Sequence, residues 1–142
     1  MATTEREQLY TVALNRARLL APAKPCFVFE HPGAHRLEQH APLRFTSTMR
    51  GVVHGFAGFF ETELAEDVRL SIVPDSHTEE MRSWSPMFFP IAEPFGVDAG
   101  DEIAVDFFRR TGAGRVWYEW VVSAPAMGRL HNASGRVYAM RS

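Results

Sequence analysis

The sequence predicts an all-β fold, an antiparallel β-barrel or sandwich built from about eight to nine short strands. Its nine prolines and ten glycines are spread along all 142 residues, where they separate short apolar runs. Several of these runs alternate apolar and polar residues with a period of two, which is the pattern of a half-buried strand. The length fits a single domain, and the 46% hydrophobic and 23% charged residues are an ordinary globular balance.

In the first half of the chain, strands are predicted at residues 26–30, 43–49, 52–64 and 68–73. Apolar and polar residues alternate from Leu43 to Met49. Gly55 and Gly58 interrupt the third run, which predicts a bulge or a sharp bend. Pro74 ends the fourth run.

In the second half, strands are predicted at residues 87–89, 103–108, 116–122 and 137–140. The first of these is brief because Pro86 and Pro90 frame it. The tetrapeptide Thr111-Gly112-Ala113-Gly114 joins the next two runs, so they are predicted to form a β-hairpin.

The N-terminal region allows two interpretations. Apolar residues between Glu5 and Leu20 have helical spacing, which favours an amphipathic helix. The alternative is a strand at residues 10–14 followed by a loop.

Charge and hydropathy exclude several classes of protein. The 15 basic and 17 acidic residues give a net charge of −2, without the basic excess of a nucleic-acid-binding surface. No stretch approaches the roughly 18 apolar residues of a membrane span. The first residues are polar and resemble no secretory signal, so we expect an intracellular protein with no nucleic-acid or membrane partner. The single cysteine, Cys26, is expected to be a buried structural thiol.

The sequence predicts neither a metal site nor a cofactor site. His31, His35, Glu38 and His40 lie close together, but their spacing matches no zinc pattern and predicts a solvated loop. The paired glycines at residues 55–58 and 112–114 lie in a strand and in a hairpin. Neither pair opens a helix, as a nucleotide-binding loop must.

Two further features carry possible chemistry. Glu61 and Glu119 lie among aromatic residues, where a raised pKa would suit a hydrolase acid–base pair; the alternative is that each faces solvent or pairs with an arginine. Trp84 lies in a charged, proline-bounded loop, where its ring could hold a guanidinium group. Trp117 and Trp120 fit a core or an interface better.

Several ordered segments together resemble one protein family. They are Pro25-Cys26-Phe27, Phe29, His31-Pro32, residues 54–62, Leu70-Ser71-Ile72, Ser83-Trp84, Pro86, Phe89-Pro90, residues 116–120, Ala124-Pro125, His131-Asn132, Gly135-Arg136 and Tyr138. In this order they resemble the type II, symmetric-dimethylating protein arginine methyltransferases. The resemblance implies that residues 10–142 are the C-terminal β-barrel, or oligomerisation domain, of such an enzyme, preceded by a tail or linker at residues 1–9. It also favours a strand at residues 10–14 over the helix.

In that family the cofactor S-adenosylmethionine and the catalytic glutamates belong to a separate Rossmann-like domain. The resemblance therefore implies no catalytic and no cofactor-binding residue in this chain, which alone is expected to be inactive. Ser83 and Trp84 match a Phe-Ser-Trp loop that lines the arginine pocket, whereas Arg82 replaces the phenylalanine.

The partners implied are further copies of the chain or a methyltransferase catalytic domain, together with protein arginine substrates. The location implied is the cytoplasm, with the nucleus as a second site. The alternative is a free-standing, non-enzymatic β-barrel that mediates protein–protein association.

Overall fold

The computed structural model describes residues 10–11, 19–27, 38–59, 61–65, 68–71 and 87–141. The strands within these residues are β1 (Tyr10–Thr11), β2 (Gln39–Thr46), β3 (Gly51–Gly58), β4 (Glu61–Ala65), β5 (Val68–Ser71), β6 (Met87–Val97), β7 (Glu102–Gly112), β8 (Arg115–Ala124) and β9 (Met140–Arg141). A short 3-10 turn covers Ala133–Gly135. Every strand pairing is antiparallel, so the all-β antiparallel prediction is confirmed.

The strands form three sheets, with the orders β2-β7-β8-β9, β1-β6-β3 and β4-β5. Aromatic residues join the two larger sheets across the core: the rings of Phe56 and Phe107 lie 5.7 Å apart, and those of Phe89 and Trp120 lie 5.2 Å apart. Within the described residues no ladder joins these two sheets. The two larger sheets therefore pack against each other, with the core between them.

The predicted hairpin is present as β7 and β8. Gly112 pairs with Arg115, which leaves Ala113 and Gly114 as the turn. Both turn residues have positive φ, at 51° and 71°, as a type I′ hairpin turn requires.

The brief strand predicted at residues 87–89 is wrong, because β6 continues through Pro90 to Val97. Val53 pairs with Phe95 and Gly55 pairs with Pro90, so residues 91–94 bulge out opposite His54 alone. A bulge leaves backbone groups outside the ladder, so a proline within it removes no ladder hydrogen bond. Pro94 lies in this bulge, whereas Pro90, at which the predicted strand ended, is paired with Gly55 in the ladder, so the strand continues past both prolines.

Several other boundaries differ from the predictions. The run at residues 52–64 forms two strands, since β3 ends at Gly58 and β4 begins at Glu61. β2 begins at Gln39 and ends at Thr46; Ser47 then joins the turn, where its hydroxyl donates to the Met49 carbonyl at 2.6 Å.

The strands predicted near the two termini agree only in part with the structure. Tyr10 and Thr11 form a strand, as the family resemblance implied, and residues 1–9 and 12–18 lie outside the described residues. Cys26 and Phe27 are not in a strand, and residues 28–30 lie outside the described part. Near the C-terminus only Met140–Arg141 form a strand, so the prediction for residues 137–140 was too long.

The segment of residues 19–27 runs beside β2. The carbonyl of Leu20 accepts a hydrogen bond from the backbone N–H of Thr48 at 2.7 Å, and the ammonium of Lys24 donates to the carbonyl of Arg44. Cys26 and Phe27 pack against the core from this segment. An edge strand covered in this way offers fewer free backbone groups to another chain.

Candidate functional site

The residues predicted to line an arginine pocket, Ser83 and Trp84, lie outside the described residues, as does Arg82. The described fold ends at Ser71 before this segment and resumes at Met87. The start of β6 is the place where the segment rejoins the described fold. The contacts that hold the start of β6 are therefore the described contacts nearest in sequence to Ser83 and Trp84.

Trp120 holds β6 from the opposite sheet. Its side chain is fully buried, and its indole N–H donates to the carbonyl of Pro90 at 2.7 Å. The ring of Phe89 meets the indole edge to face, with an interplanar angle of 86°. This hydrogen bond and this ring contact hold Phe89 and Pro90, near the start of β6, against β8.

His131 makes a second connection between β6 and β8. Its Nδ1 lies 3.1 Å from the carbonyl oxygen of Trp120, and its Nε2 lies 2.8 Å from the backbone nitrogen of Ala92. A carbonyl only accepts and a backbone N–H only donates, so Nδ1 carries the proton and Nε2 accepts. Both partners are thus satisfied by one neutral tautomer of a buried imidazole.

Asn132 fixes the segment that follows. Its Nδ2 donates to the carbonyls of Tyr118 and Tyr138 at 2.9 and 2.8 Å. Its Oδ1 accepts from the backbone N–H groups of Val137 and Tyr138, each at 3.0 Å. The amide therefore uses its whole hydrogen-bonding capacity while fully buried.

Glu119 is a buried carboxylate with a structural set of partners. It accepts from the indole N–H of Trp117 and the backbone N–H of Ser134, both at 2.7 Å, and from Nε of Arg110 at 3.4 Å. Pairing with an arginine was the structural alternative to a catalytic role for this residue. The side chain of Glu61, the other member of the hypothetical pair, lies outside what the structure describes.

Of the histidine and glutamate cluster predicted to form a solvated loop, only Glu38 and His40 lie within the described residues. His40 pairs with Asp106 at 2.7 Å, while His31 and His35 lie outside the described residues. Among the residues described, no group of three or more His, Cys, Asp or Glu side chains is placed to hold a metal ion. Burial raises the pKa of the Cys26 thiol to about 12, which keeps it protonated and agrees with a structural role.

The described part of the chain contains no helix that is both long enough and apolar enough to cross a membrane.

The roles of His131 and Asn132 were missed from the sequence pattern. Their partners come from residues distant in sequence, so neither periodicity nor local spacing could predict these contacts. The one available signal was that His131-Asn132 is among the segments that resemble the family.

Comparison with known proteins identifies the family. A family model described as the PRMT5 oligomerisation domain matches residues 1–140. This chain belongs to the PRMT5 oligomerisation domain family. The resemblance seen in the sequence is thereby confirmed.

The relatives are named as methyltransferases. The chain is 39% identical over 137 residues to protein arginine N-methyltransferase 5 of Xenopus laevis, covering 94% of this chain and 22% of the relative. It is 41% identical over 138 residues to the protein of the same name from Oryza sativa subsp. indica, covering 93% of this chain and 21% of the relative. The chain therefore spans about a fifth of the length of these relatives.

Proposed function

We propose that this chain is the self-association domain of an arginine methyltransferase and contributes one wall of its arginine pocket. The observation that carries the proposal is the match of residues 1–140 to an oligomerisation-domain family. The relatives that match this chain are about five times as long as the matched region. The remaining four-fifths of such relatives leaves room for the cofactor-binding and catalytic parts. In the complete enzyme, methyl groups pass from S-adenosylmethionine to a protein arginine, with the symmetric dimethylation of type II enzymes as the outcome.

The pocket wall is assigned to Ser83 and Trp84. The face of an indole ring attracts a guanidinium cation, which contributes about 0.5–2 kcal/mol. The assignment is supported by the match of these two residues to the family loop and by the firm attachment of β6, which begins three residues after Trp84. A cation at Arg82 would repel a substrate arginine, so its side chain is expected to face solvent or an acidic group.

The proposed partners are further copies of this chain, the catalytic part of the methyltransferase and protein arginine substrates. Nucleic acid and membranes are not among them. The proposed location is the cytoplasm, with the nucleus as a second site.

Replacing Trp84 in the complete enzyme tests the pocket assignment. Trp84→Ala removes the ring and should lower kcat/KM for an arginine peptide about twofold to thirtyfold, the equivalent of the cation–π contribution. The dissociation constant of S-adenosylmethionine should stay unchanged, because the cofactor binds elsewhere.

Trp84→Phe is the matched control, since it keeps an aromatic face and should retain most of the turnover. Unaltered peptide turnover in Trp84→Ala would remove Trp84 from the pocket. A change in cofactor affinity of similar size would contradict the separation of the two sites.

The mass of the native polypeptide distinguishes the proposal from a free-standing association domain. An antibody against the domain should detect a polypeptide several times larger than 16.0 kDa in the source cells. A band at 16.0 kDa would favour a separate, non-enzymatic protein, and the question would become which subunit it joins.

A further inference from the structure

The outer face of the larger sheet, which is the side of β2, β7 and β8 turned away from the core, carries aromatic residues. Strand residues alternate between the two sides of a sheet, so Phe108 lies on the outer face because Phe107 lies in the core. Trp117 lies on the same face, next to the core residue Val116. Both outer rings are half-buried. Aromatic and arginine side chains are enriched in protein–protein interfaces, and an interface is the role left for Trp117 once Trp120 fills the core.

The two edges of this sheet are covered by the chain itself. The segment of residues 19–27 runs along β2. Along β8, the backbone N–H of Gly128 donates to the Val122 carbonyl and that of His131 to the Trp120 carbonyl, each at 2.8 Å, and β9 pairs with the start of the strand. A covered edge offers few backbone groups for pairing with another chain. Association through this sheet therefore uses its face and not its edges.

Opposite charges flank Phe108 on β7, the strand that lies between β2 and β8. Asp106 and Arg110 each lie two residues from Phe108, about 6.7 Å away along the strand. Cζ of Arg110 lies 4.5 Å from the centroid of the Phe108 ring, and the ring of His40 stacks on it at the same distance. The side chains of Asp106 and Arg110 keep exposed fractions of 26% and 40%. The outer face is therefore negative on one side of an aromatic centre and positive on the other.

We propose that the outer face binds the same face of a second copy of this chain, with a twofold axis that crosses β7 at Phe108. The inference rests on the proposed self-association and names its surface. An axis at right angles to β7 reverses the strand direction, so Asp106 of one copy lies opposite Arg110 of the other, and the two Phe108 rings meet. An axis parallel to β7 would instead place each Asp106 opposite its counterpart, and like charges repel.

The outer residues of β8 fit the same axis. Glu119 pairs with Phe108 in the ladder, so the axis crosses β8 at Glu119. Trp117 and Val121 lie two residues to either side and are both half-buried, so Trp117 of one copy lies opposite Val121 of the other. Glu119 itself is buried and accepts from three donors, one of them the backbone N–H of Ser134 in the 3-10 turn. Its charge therefore does not oppose that of its counterpart.

The size of the outer face sets the strength of the association. The three strands are 8, 11 and 10 residues long. At ordinary strand spacings, two copies would bury roughly 1,000 Å² in total, and interfaces below about 1,200 Å² are weak and transient. We therefore expect a reversible dimer. Its dissociation constant should rise with salt, because the Asp106–Arg110 pairs stay close to solvent.

Sedimentation equilibrium of the 142-residue chain and its variants tests the surface. Asp106→Arg places like charges opposite Arg110 of the other copy, and Phe108→Ala removes the aromatic centre. Each should raise the dissociation constant about tenfold or more. Val52→Arg is the matched control, because Val52 is 51% exposed on β3, in the other large sheet, and this variant should leave the dissociation constant unchanged. Retained exchange protection of β7 shows that each variant is folded.

A thiol cross-link tests the axis in a second, independent way. His40 pairs with Phe108 in the ladder, so it also lies on the axis, and His40→Cys should bring two thiols face to face. Packed sheets lie about 10 Å apart, so a bismaleimide of about that span should join the two copies. Val52→Cys should give no such product. The native Cys26 competes poorly, because burial raises the pKa of its thiol to about 12.

Two results would overturn the surface and leave self-association intact. They are unchanged dissociation constants in both Asp106→Arg and Phe108→Ala, and a cross-link in Val52→Cys with none in His40→Cys. A wild-type chain with a mass of 16.0 kDa at every concentration would contradict the proposed self-association as well. The failure of this inference and the failure of the proposed function are therefore distinguishable.

Discussion

Asn132 satisfies four backbone groups with a single buried amide. It also takes a left-handed conformation, with φ of 55°, which asparagine tolerates better than most residues. The side chain thus replaces the strand ladder in the segment between the 3-10 turn and β9. This replacement explains why the predicted C-terminal strand is shorter than its apolar pattern suggests.

Removing this amide should be costly. Asn132→Gly keeps the left-handed backbone accessible but leaves the four groups without partners. Each buried polar group that loses its partner costs about 1–3 kcal/mol, and partial hydration offsets some of this, so we expect a total loss of roughly 3 kcal/mol. Urea unfolding measures the change.

Ser134→Gly is the matched control, because Ser134 is exposed and also has positive φ, at 57°. This variant should change stability by less than about 1 kcal/mol. An equal loss in both variants would show that backbone freedom and not the amide governs the segment.

Single-residue features were predictable where their cause is local. Cys26 was predicted to be a buried structural thiol, and burial raises the pKa of this thiol to about 12. The roles of His131 and Asn132 depend on partners brought close by the fold, so the sequence pattern alone could not reveal them. The roles of Ser83 and Trp84 stay predictions.

At the scale of elements, β6 depends on how closely it approaches β3. Gly55 lies opposite Pro90, where an added Cβ would collide with the Phe89 carbonyl oxygen and lie 2.6 Å from a ring carbon of Phe88. A backbone oxygen cannot move away without breaking the ladder. The glycine predicted to mark a bulge or bend therefore permits the contact between the two strands beside the bulge.

Gly55→Ala tests this close approach. Overpacking of this kind costs about 1–3 kcal/mol, and we expect the upper end because the obstacle is backbone. Gly96→Ala is the control on β6, since its Cβ would meet nothing closer than the Gly51 carbonyl oxygen at 3.9 Å. Thermal unfolding should separate the two variants clearly; equal midpoints would contradict the contact.

The hairpin and β6 show which elements the sequence can predict. The β7–β8 turn depends on two adjacent residues, so its local signal was sufficient. The length of β6 depends on its pairing with β3, because Pro90 is paired with Gly55 and the strand continues beyond it to Val97. The sequence pattern predicted that the strand ends before Pro90, because pairing with a distant strand cannot be predicted from local sequence.

At the scale of the whole molecule, the all-β class and the family were both predictable, because they rest on many residues at once. The order of strands in the sheets was not, since it depends on pairing between distant segments. The described structure has a core formed by both large sheets, and segment 19–27 covers one edge.

Sedimentation equilibrium of the 142-residue chain over a wide concentration range tests the central claim of self-association most directly. The account predicts a mass that rises with concentration to a multiple of 16.0 kDa, as a reversible oligomer requires. A mass of 16.0 kDa at every concentration, from a chain shown to be folded by the exchange protection of β7, would contradict it.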